Sequence, residues 1–320
     1  MSRVGEGYNL QPEVISLGEP MLEFNALTKG SLRDVDIFKR SWGGDTSNFA
    51  VAVARLERKA GYVCRVGDDD FGRCFLDFWR REGVDTSHVI VEKGGFTGIY
   101  FISIIDGGEH DFTYYRANSS ASHLCQEDID ASYIEQAEVF HTSGISQAIS
   151  QSCREAVFTA IEIAKRSGVT FSYDPNVRLK LWPIHTARAV IMRTIELADI
   201  VMPSLEDVKI LLGLDSPEQA ADLIMKRGPK MVVIKLGSEG SLVAYDDKRI
   251  RIPGFKVKPV DTTGAGDAFN AAFIVSFLEG CDPVESAKFA NAVGALTTLG
   301  KGAVEPIPKR GEVYEFLKSS

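Results

Sequence analysis

The chain has 320 residues, 44% hydrophobic and 25% charged, proportions that supply a full core and exclude wholesale disorder, collagen and a small disulfide scaffold. Its 36 basic and 44 acidic residues give a net charge of −8, so no phosphate-tracking basic surface is expected and nucleic acid is set aside as a partner. The five cysteines (Cys64, Cys74, Cys125, Cys153 and Cys281) are widely spaced with no C-x-x-C pair, which points away from zinc and disulfides and toward a reducing, cytoplasmic setting.

Met1 to Gln11 is polar and lacks the basic start and apolar run of a signal peptide. Beyond it, short β-branched runs alternate with helical patterns. Strands are predicted at Val14–Leu17, Gly61–Val66, Val139–Thr142, Thr170–Tyr173, Ile200–Met202 and Met231–Lys235. Helices are predicted at Ser47–Leu56, Phe71–Glu82, Ser150–Ser167, Thr186–Leu197, Leu205–Leu211 and Pro217–Lys226. This order predicts an α/β fold, a three-layer α/β/α sandwich on a mainly parallel sheet. The apolar run Ala268 to Leu278 is broken by Asn270 and Ser276 and falls short of the roughly 20 residues needed to span a membrane; no membrane partner is expected.

Two segments, roughly 21–42 and 97–116, interrupt the alternation. In the second, Gly98–Ile104 and Glu109–Tyr115 flank Asp106-Gly107-Gly108, a strong hairpin turn signal. Together they predict a small antiparallel β-lid inserted into one domain over residues 1–320. A sheet without its own helices must close over a cleft, pair with another subunit, or both, so a homodimer through the lid is the default expectation.

The chemistry concentrates in Asp261-Thr262-Thr263-Gly264-Ala265-Gly266-Asp267, which opens the apolar helix. Glycines ahead of a helix let several N–H groups converge on one spot, where the helix dipole also favours an anion. Asp267 beside such a cradle is electrostatically costly unless it works, for example by accepting a proton from an attacking hydroxyl. The competing interpretation is a simple helix cap. No G-x-x-x-x-G-K-[ST] and no strand-linked G-x-G-x-x-G is present, which argues against P-loop and dinucleotide-binding enzymes. A second pair, Gly43-Gly44, precedes Asp45-Thr46-Ser47-Asn48; these polar side chains suit sugar hydroxyls, or one of the first three caps a helix. The scattered His88, His110, His123, His141 and His185 form no metal pattern, and Asp68-Asp69-Asp70 reads as a solvated loop capping the next helix.

Gly43-Gly44 with Asn48, Val66-Gly67-Asp68-Asp69-Asp70-Phe71-Gly72 and Asp261 to Asp267 resemble, in order and separation, the two signatures of the ribokinase-like (PfkB) carbohydrate kinases. The resemblance runs from about Val14 to about Pro308. It implies ATP-dependent phosphorylation of a sugar hydroxyl, with Asp267 as base and the amides of Gly264, Ala265, Gly266 and Asp267 as an anion hole. It also implies nucleotide contacts from Ser204, Lys235, Gly237, Gly240 and Asn291, and Mg²⁺ held largely through water. Where many members carry N-x-x-E, this chain has Ser204-x-x-Asp207 with Glu206 alongside, so either carboxylate is a candidate for organising the Mg²⁺ shell. A monovalent cation such as K⁺ near Asp261 and Gly302 belongs to the same resemblance.

On substrate, Tyr100, Tyr114, Arg116 and Arg178 fall where 2-keto-3-deoxygluconate kinases hold their keto acid, and Arg suits a planar carboxylate. Strand alternation puts Tyr114 and Arg116 on one face and Tyr115 on the other. The stretch Asp174-Pro175-Asn176 to Trp182-Pro183 and the acidic Glu23 are equally reminiscent of fructokinases. A sugar acid is the preferred reading, with a neutral sugar such as fructose as the alternative and a non-catalytic sugar or nucleotide sensor as the rival from another class.

Overall fold

The computed structural model describes residues 11–104 and 110–319. In chain order the strands are β1 (Val14–Leu17), β2 (Met21–Lys29), β3 (Phe38–Gly43), β4 (Ala60–Gly67), β5 (Val89–Glu92), β6 (Ile99–Ile104) and β7 (His110–Tyr115). They continue as β8 (Val139–Ser143), β9 (Thr170–Asp174), β10 (Ile200–Val201), β11 (Met231–Lys235), β12 (Gly240–Tyr245) and β13 (Lys248–Pro253). The large sheet has the order β13-β12-β11-β10-β9-β8-β1-β4-β5. Every pairing from β11 to β5 is parallel, and β12 and β13 add an antiparallel edge.

Alternation along the strands splits the core into two layers. Val14, Val139, Ile200 and Val233 join one apolar cluster, which includes helices Asp45–Arg55, Asp70–Glu82, Ala265–Leu278 and Pro283–Thr297. Their neighbours Ile15, Phe140, Val201 and Val232 join the other, under helices Gln151–Arg166, Ile184–Leu197 and Pro217–Met225. The Ala265–Leu278 helix is buried from Ala268 to Ser276 and packs against the Asp45–Arg55 and Pro283–Thr297 helices. That is why its sequence is apolar on nearly every side; among the described residues no helix is long and apolar enough to cross a membrane.

The small sheet has the order β3-β2-β6-β7. Its β2–β3 and β6–β7 pairs are antiparallel and its central β2–β6 pair is parallel. The expected Asp106-Gly107-Gly108 turn and Glu109 lie outside the described residues. The lid is tied to the core at Asp69, which caps the Asp70–Glu82 helix by accepting from Gly72 N at 2.7 Å. Its other oxygen accepts from Thr97 N at 2.7 Å, just ahead of β6. Because the lid's first strand follows β1 within a few residues, the sheet leaves the core where the parallel strands end, the usual ligand crevice of such sheets.

Candidate active site

Gly264 is the N-cap of the Ala265–Leu278 helix and has φ 78°. A Cβ there would lie 2.1 Å from the Ala303 carbonyl oxygen, so only glycine fits this left-handed turn. The turn leaves the first amides of the helix without intrahelical acceptors. Asp267 sits in the first turn but caps nothing. Its carboxylate instead accepts from Asn48 Nδ2 at 2.8 Å, which joins the two glycine motifs and sets the capping interpretation aside. In the same way the Asp45–Arg55 helix is capped by Gly44, not by a side chain of Asp45, Thr46 or Ser47.

Asp267 shares its surroundings with two further carboxylates, Asp45 and Asp174. Asp45 accepts from Asn176 Nδ2 at 2.8 Å, and Asp174 accepts from Lys235 Nζ at 2.7 Å and Asn270 Nδ2 at 2.6 Å. Burial first, then repulsion by Asp45 and Asp174, push the Asp267 carboxyl up to about 8, against the pull of Asn48 and Lys235. Burial and Asp174 likewise raise Asp45. Burial and its acidic neighbours thus make the Asp267 carboxyl a stronger proton acceptor than an ordinary carboxylate, which suits general-base chemistry. Asn48 is 3% exposed, and its Oδ1 has no hydrogen-bond partner among the described residues. A buried acceptor left open beside a carboxyl is what an incoming hydroxyl would satisfy.

The residues expected at the nucleotide lie on β11, the turn after it and two helices. Lys235 ends β11, and the turn Gly237–Glu239 leads to Gly240, the first residue of β12. Asn291 Nδ2 donates to the Ile252 and Pro253 carbonyls at 3.2 and 3.3 Å, tying its helix to β13 behind that turn. Ser204 caps the Leu205–Leu212 helix in a reciprocal box with Asp207. The Asp207 oxygens are taken by Val177 N, Ser204 N and Ser204 Oγ, at 2.7, 2.8 and 2.6 Å. Asp207 is thus committed to backbone, whereas Glu206 is exposed on the same turn. Asp261 accepts from Gly302 N at 3.0 Å, so these two residues, 41 positions apart, do meet. Among the described residues no cluster of three or more His, Cys, Asp or Glu side chains is placed to hold a metal ion.

The lid presents a polar row to the cleft. Strand register places Ser41 opposite Glu23, Glu23 opposite Tyr100, and Tyr100 opposite Tyr114, one residue from each strand. Tyr100 donates to Glu23, and Ser41 Oγ donates to Glu305 at 2.5 Å. Burial, with repulsion by Asp261 and Glu305, raises Glu23 to about 7. A Cβ on Gly43 would sit 2.5 Å from the Tyr100 hydroxyl, so the first glycine pair gives the lid room to close on the core. Burial, Glu23, Tyr114 and Asp267 all push the Tyr100 hydroxyl up, placing the lid row within electrostatic reach of Asp267.

Tyr114 is 39% exposed and stacks on Tyr100 at 5.5 Å, with the Arg116 guanidinium 5.7 Å from its ring centre. Burial raises its hydroxyl, while Arg116 and Arg178 both pull it down. Tyr115 points to the opposite face, against Phe101, as alternation requires. Arg116 is not a free cation: it donates to Glu19, which is 1% exposed and which no motif flagged. Burial raises Glu19, and Arg116 opposes that shift. Arg178 is exposed and donates to the Val177 carbonyl at 2.9 Å. His88 and His123 lie beside Asp130 and Glu92, and His141 is a core residue stacked on Phe49; the side chain of His110 is outside the described residues.

A three-layer α/β core, an inserted β-lid, and a helix-start anion cradle adjoining a buried carboxyl define a phosphotransferase acting on hydroxyl compounds. A model described as "pfkB family carbohydrate kinase" matches residues 11–310. Fructokinase-1 of Zea mays is 38% identical over 96% of this chain and 98% of its own length. The 2-dehydro-3-deoxygluconokinase of Thermoproteus tenax is 36% identical over 96% of this chain and 94% of its own. The crystal structure of fructokinase from Vibrio cholerae O395, with fructose, ADP and calcium ion bound, superposes with a TM-score of 0.86 at 31% identity, covering 96% of this chain and 99% of that one. The chain belongs to the pfkB family of carbohydrate kinases, and its fold is ribokinase-like. It is an ATP-dependent sugar kinase.

Proposed function

We propose that the enzyme transfers the γ-phosphoryl group of ATP to the primary hydroxyl of 2-keto-3-deoxygluconate, giving the 6-phosphate. The observation that carries the sugar-acid reading is Tyr114, 39% exposed on the lid's inner row with the Arg116 guanidinium 5.7 Å from its ring centre and Arg178 within electrostatic range. A hydroxyl and two guanidinium groups suit a carboxylate, and a neutral sugar gives Arg178 no matching charge. At the other end Asp267, held by Asn48 Nδ2, takes the proton of the attacking hydroxyl, Asn48 Oδ1 accepts from another hydroxyl of the sugar, and the amides of Gly264, Ala265, Gly266 and Asp267 stabilise charge on the transferring group. Magnesium bound with ATP would supply charge neutralisation of the phosphate oxygens; Glu206 is an exposed carboxylate available to its water shell, and Asp261 with Gly302 is the place for a monovalent cation.

Fructose is the second reading, and Glu19 is what favours it. By neutralising Arg116 from within the core, Glu19 leaves Arg178, among the described residues, without a carboxylate partner at the sugar end. Coupled ATP turnover with 2-keto-3-deoxygluconate, fructose and ribose, compared as kcat/KM, separates the two. Preference for the keto acid, lost selectively in Arg116→Ala, supports the first; preference for fructose replaces it with the second. We further propose a cytoplasmic homodimer through the outer lid face, where Tyr115 is exposed beside Phe101, itself against Phe38. A monomer at micromolar concentration in analytical ultracentrifugation would remove that part.

A further inference from the structure

Lys235 does more in this fold than open the nucleotide turn. Its Nζ donates to Asp174 at 2.7 Å and to Asn270 Oδ1 at 3.2 Å, and Asn270 Nδ2 donates to the same Asp174 oxygen at 2.6 Å. The three residues close a triangle between the ends of β9 and β11 and the helix that carries Asp267. The ammonium also lies beside the anion cradle, 3.7 Å from where a Cβ on Gly266 would stand. A lysine ammonium has three N–H donors, and two are spent. Holding a lysine in a mostly buried pocket of carboxylates costs desolvation that a single ion pair only partly offsets. A second anion arriving at the cradle would use the third donor and the remaining charge.

We propose that Lys235 is a catalytic residue whose ammonium contacts the transferring phosphoryl group, while Asp174 and Asn270 hold it in position. The inference rests on the kinase reading of the site and assigns Lys235 to the point of transfer instead of to the turn that follows it. In the step, the substrate hydroxyl oxygen bonds to the γ-phosphorus as its proton passes to Asp267. The bond from that phosphorus to the β,γ-bridging oxygen breaks, and its electron pair leaves with ADP. Lys235 keeps its proton throughout and donates a hydrogen bond to a non-bridging oxygen, strongest as charge accumulates there.

The test compares wild type with Lys235→Met, Lys235→Arg and the double variant Lys235→Met/Asp174→Asn, which leaves no unpaired buried carboxylate if the single variant folds poorly. Readouts are kcat, both KM values, and the Kd of ADP alone and of ADP with aluminium fluoride, in the presence of magnesium and sugar. Expected for Lys235→Met and the double variant is a kcat loss of about 10²-fold or more. ADP affinity should stay within about twofold, and the tightening produced by aluminium fluoride should fall by a factor similar to the kcat loss. Lys235→Arg should recover part of both. Near-wild-type kcat in the two Met-containing variants, or equal losses for ADP and ADP–aluminium fluoride, overturns the proposal and leaves a structural or nucleotide-affinity role. Failure of the wild type to phosphorylate any sugar overturns the kinase reading and this inference together, whereas an active wild type with an equally active Lys235→Met overturns this inference alone.

Discussion

The phosphate end of the cleft is made of backbone and of side chains fixed at the ends of core strands, whereas the sugar end is made of side chains laid across four lid strands. At the first, Gly264 turns the chain, the helix supplies its amides, and Asp267, Asp174 and Lys235 sit on elements that the core holds rigidly. At the second, Ser41, Glu23, Tyr100 and Tyr114 are aligned only by register, and Arg116 is aimed by a carboxylate from the other side of the cleft. The chemistry is therefore expected to tolerate little change, and the specificity to be adjustable one side chain at a time.

Four substitutions sharpen that contrast. The largest effect belongs to Asp267→Asn, expected to lower kcat by about 10³-fold with ATP affinity nearly unchanged; near-normal turnover would move the proton acceptor elsewhere. The same change should stabilise the fold in alkaline conditions. A folded value of about 8 for Asp267, above its unfolded value, means its contribution is full in acid and is lost as pH rises through 8. The Tm advantage of the variant should accordingly be larger at pH 8.5 than at pH 5, and the reverse order would contradict the burial of a neutral carboxyl. Next comes Glu19→Ala, which strands Arg116 in a mostly buried site and should cost roughly 3 kcal/mol by denaturant unfolding; Gln, which can still accept, should cost less. Gly264→Ala, which must place a methyl against the Ala303 carbonyl with φ positive, should cost roughly 2 kcal/mol and weaken turnover with every sugar alike. Smallest is Tyr114→Phe, expected to raise KM for the keto acid about tenfold, as for loss of one charge-assisted hydrogen bond, while kcat and the KM for fructose hold.

The same contrast governs what the sequence revealed. Val14–Leu17 and Met231–Lys235 were legible to the residue, because buried parallel strands are short unbroken β-branched runs. Two strands near the sheet's ends were not: the edge strand Val89–Glu92 is only half-buried, and Gly240–Tyr245 begins with glycine and takes its strand character from pairing with β11 and β13. The phosphate end was contiguous in sequence and hence readable from Asp261 to Asp267. Asp45 lay in a motif suited to sugar hydroxyls and Asp174 in a fructokinase-like stretch, but nothing local marked Glu19, nor the charge pairing of any of the three. Their roles come from partners 97, 131 and 61 positions away, namely Arg116, Asn176 and Lys235. Asp207, a candidate for the metal shell by position, proves to be occupied by its own helix cap and by Val177.

The most direct test of Asp267 as the proton acceptor is the pH dependence of kcat/KM for the preferred sugar, which reports groups titrating in the free enzyme. With Asp267 raised to about 8, activity should climb with pH through that value and level off above it, and the limb should vanish from the residual activity of Asp267→Asn. A wild-type profile flat from pH 6 to 9, or an identical limb in the variant, would contradict the assignment.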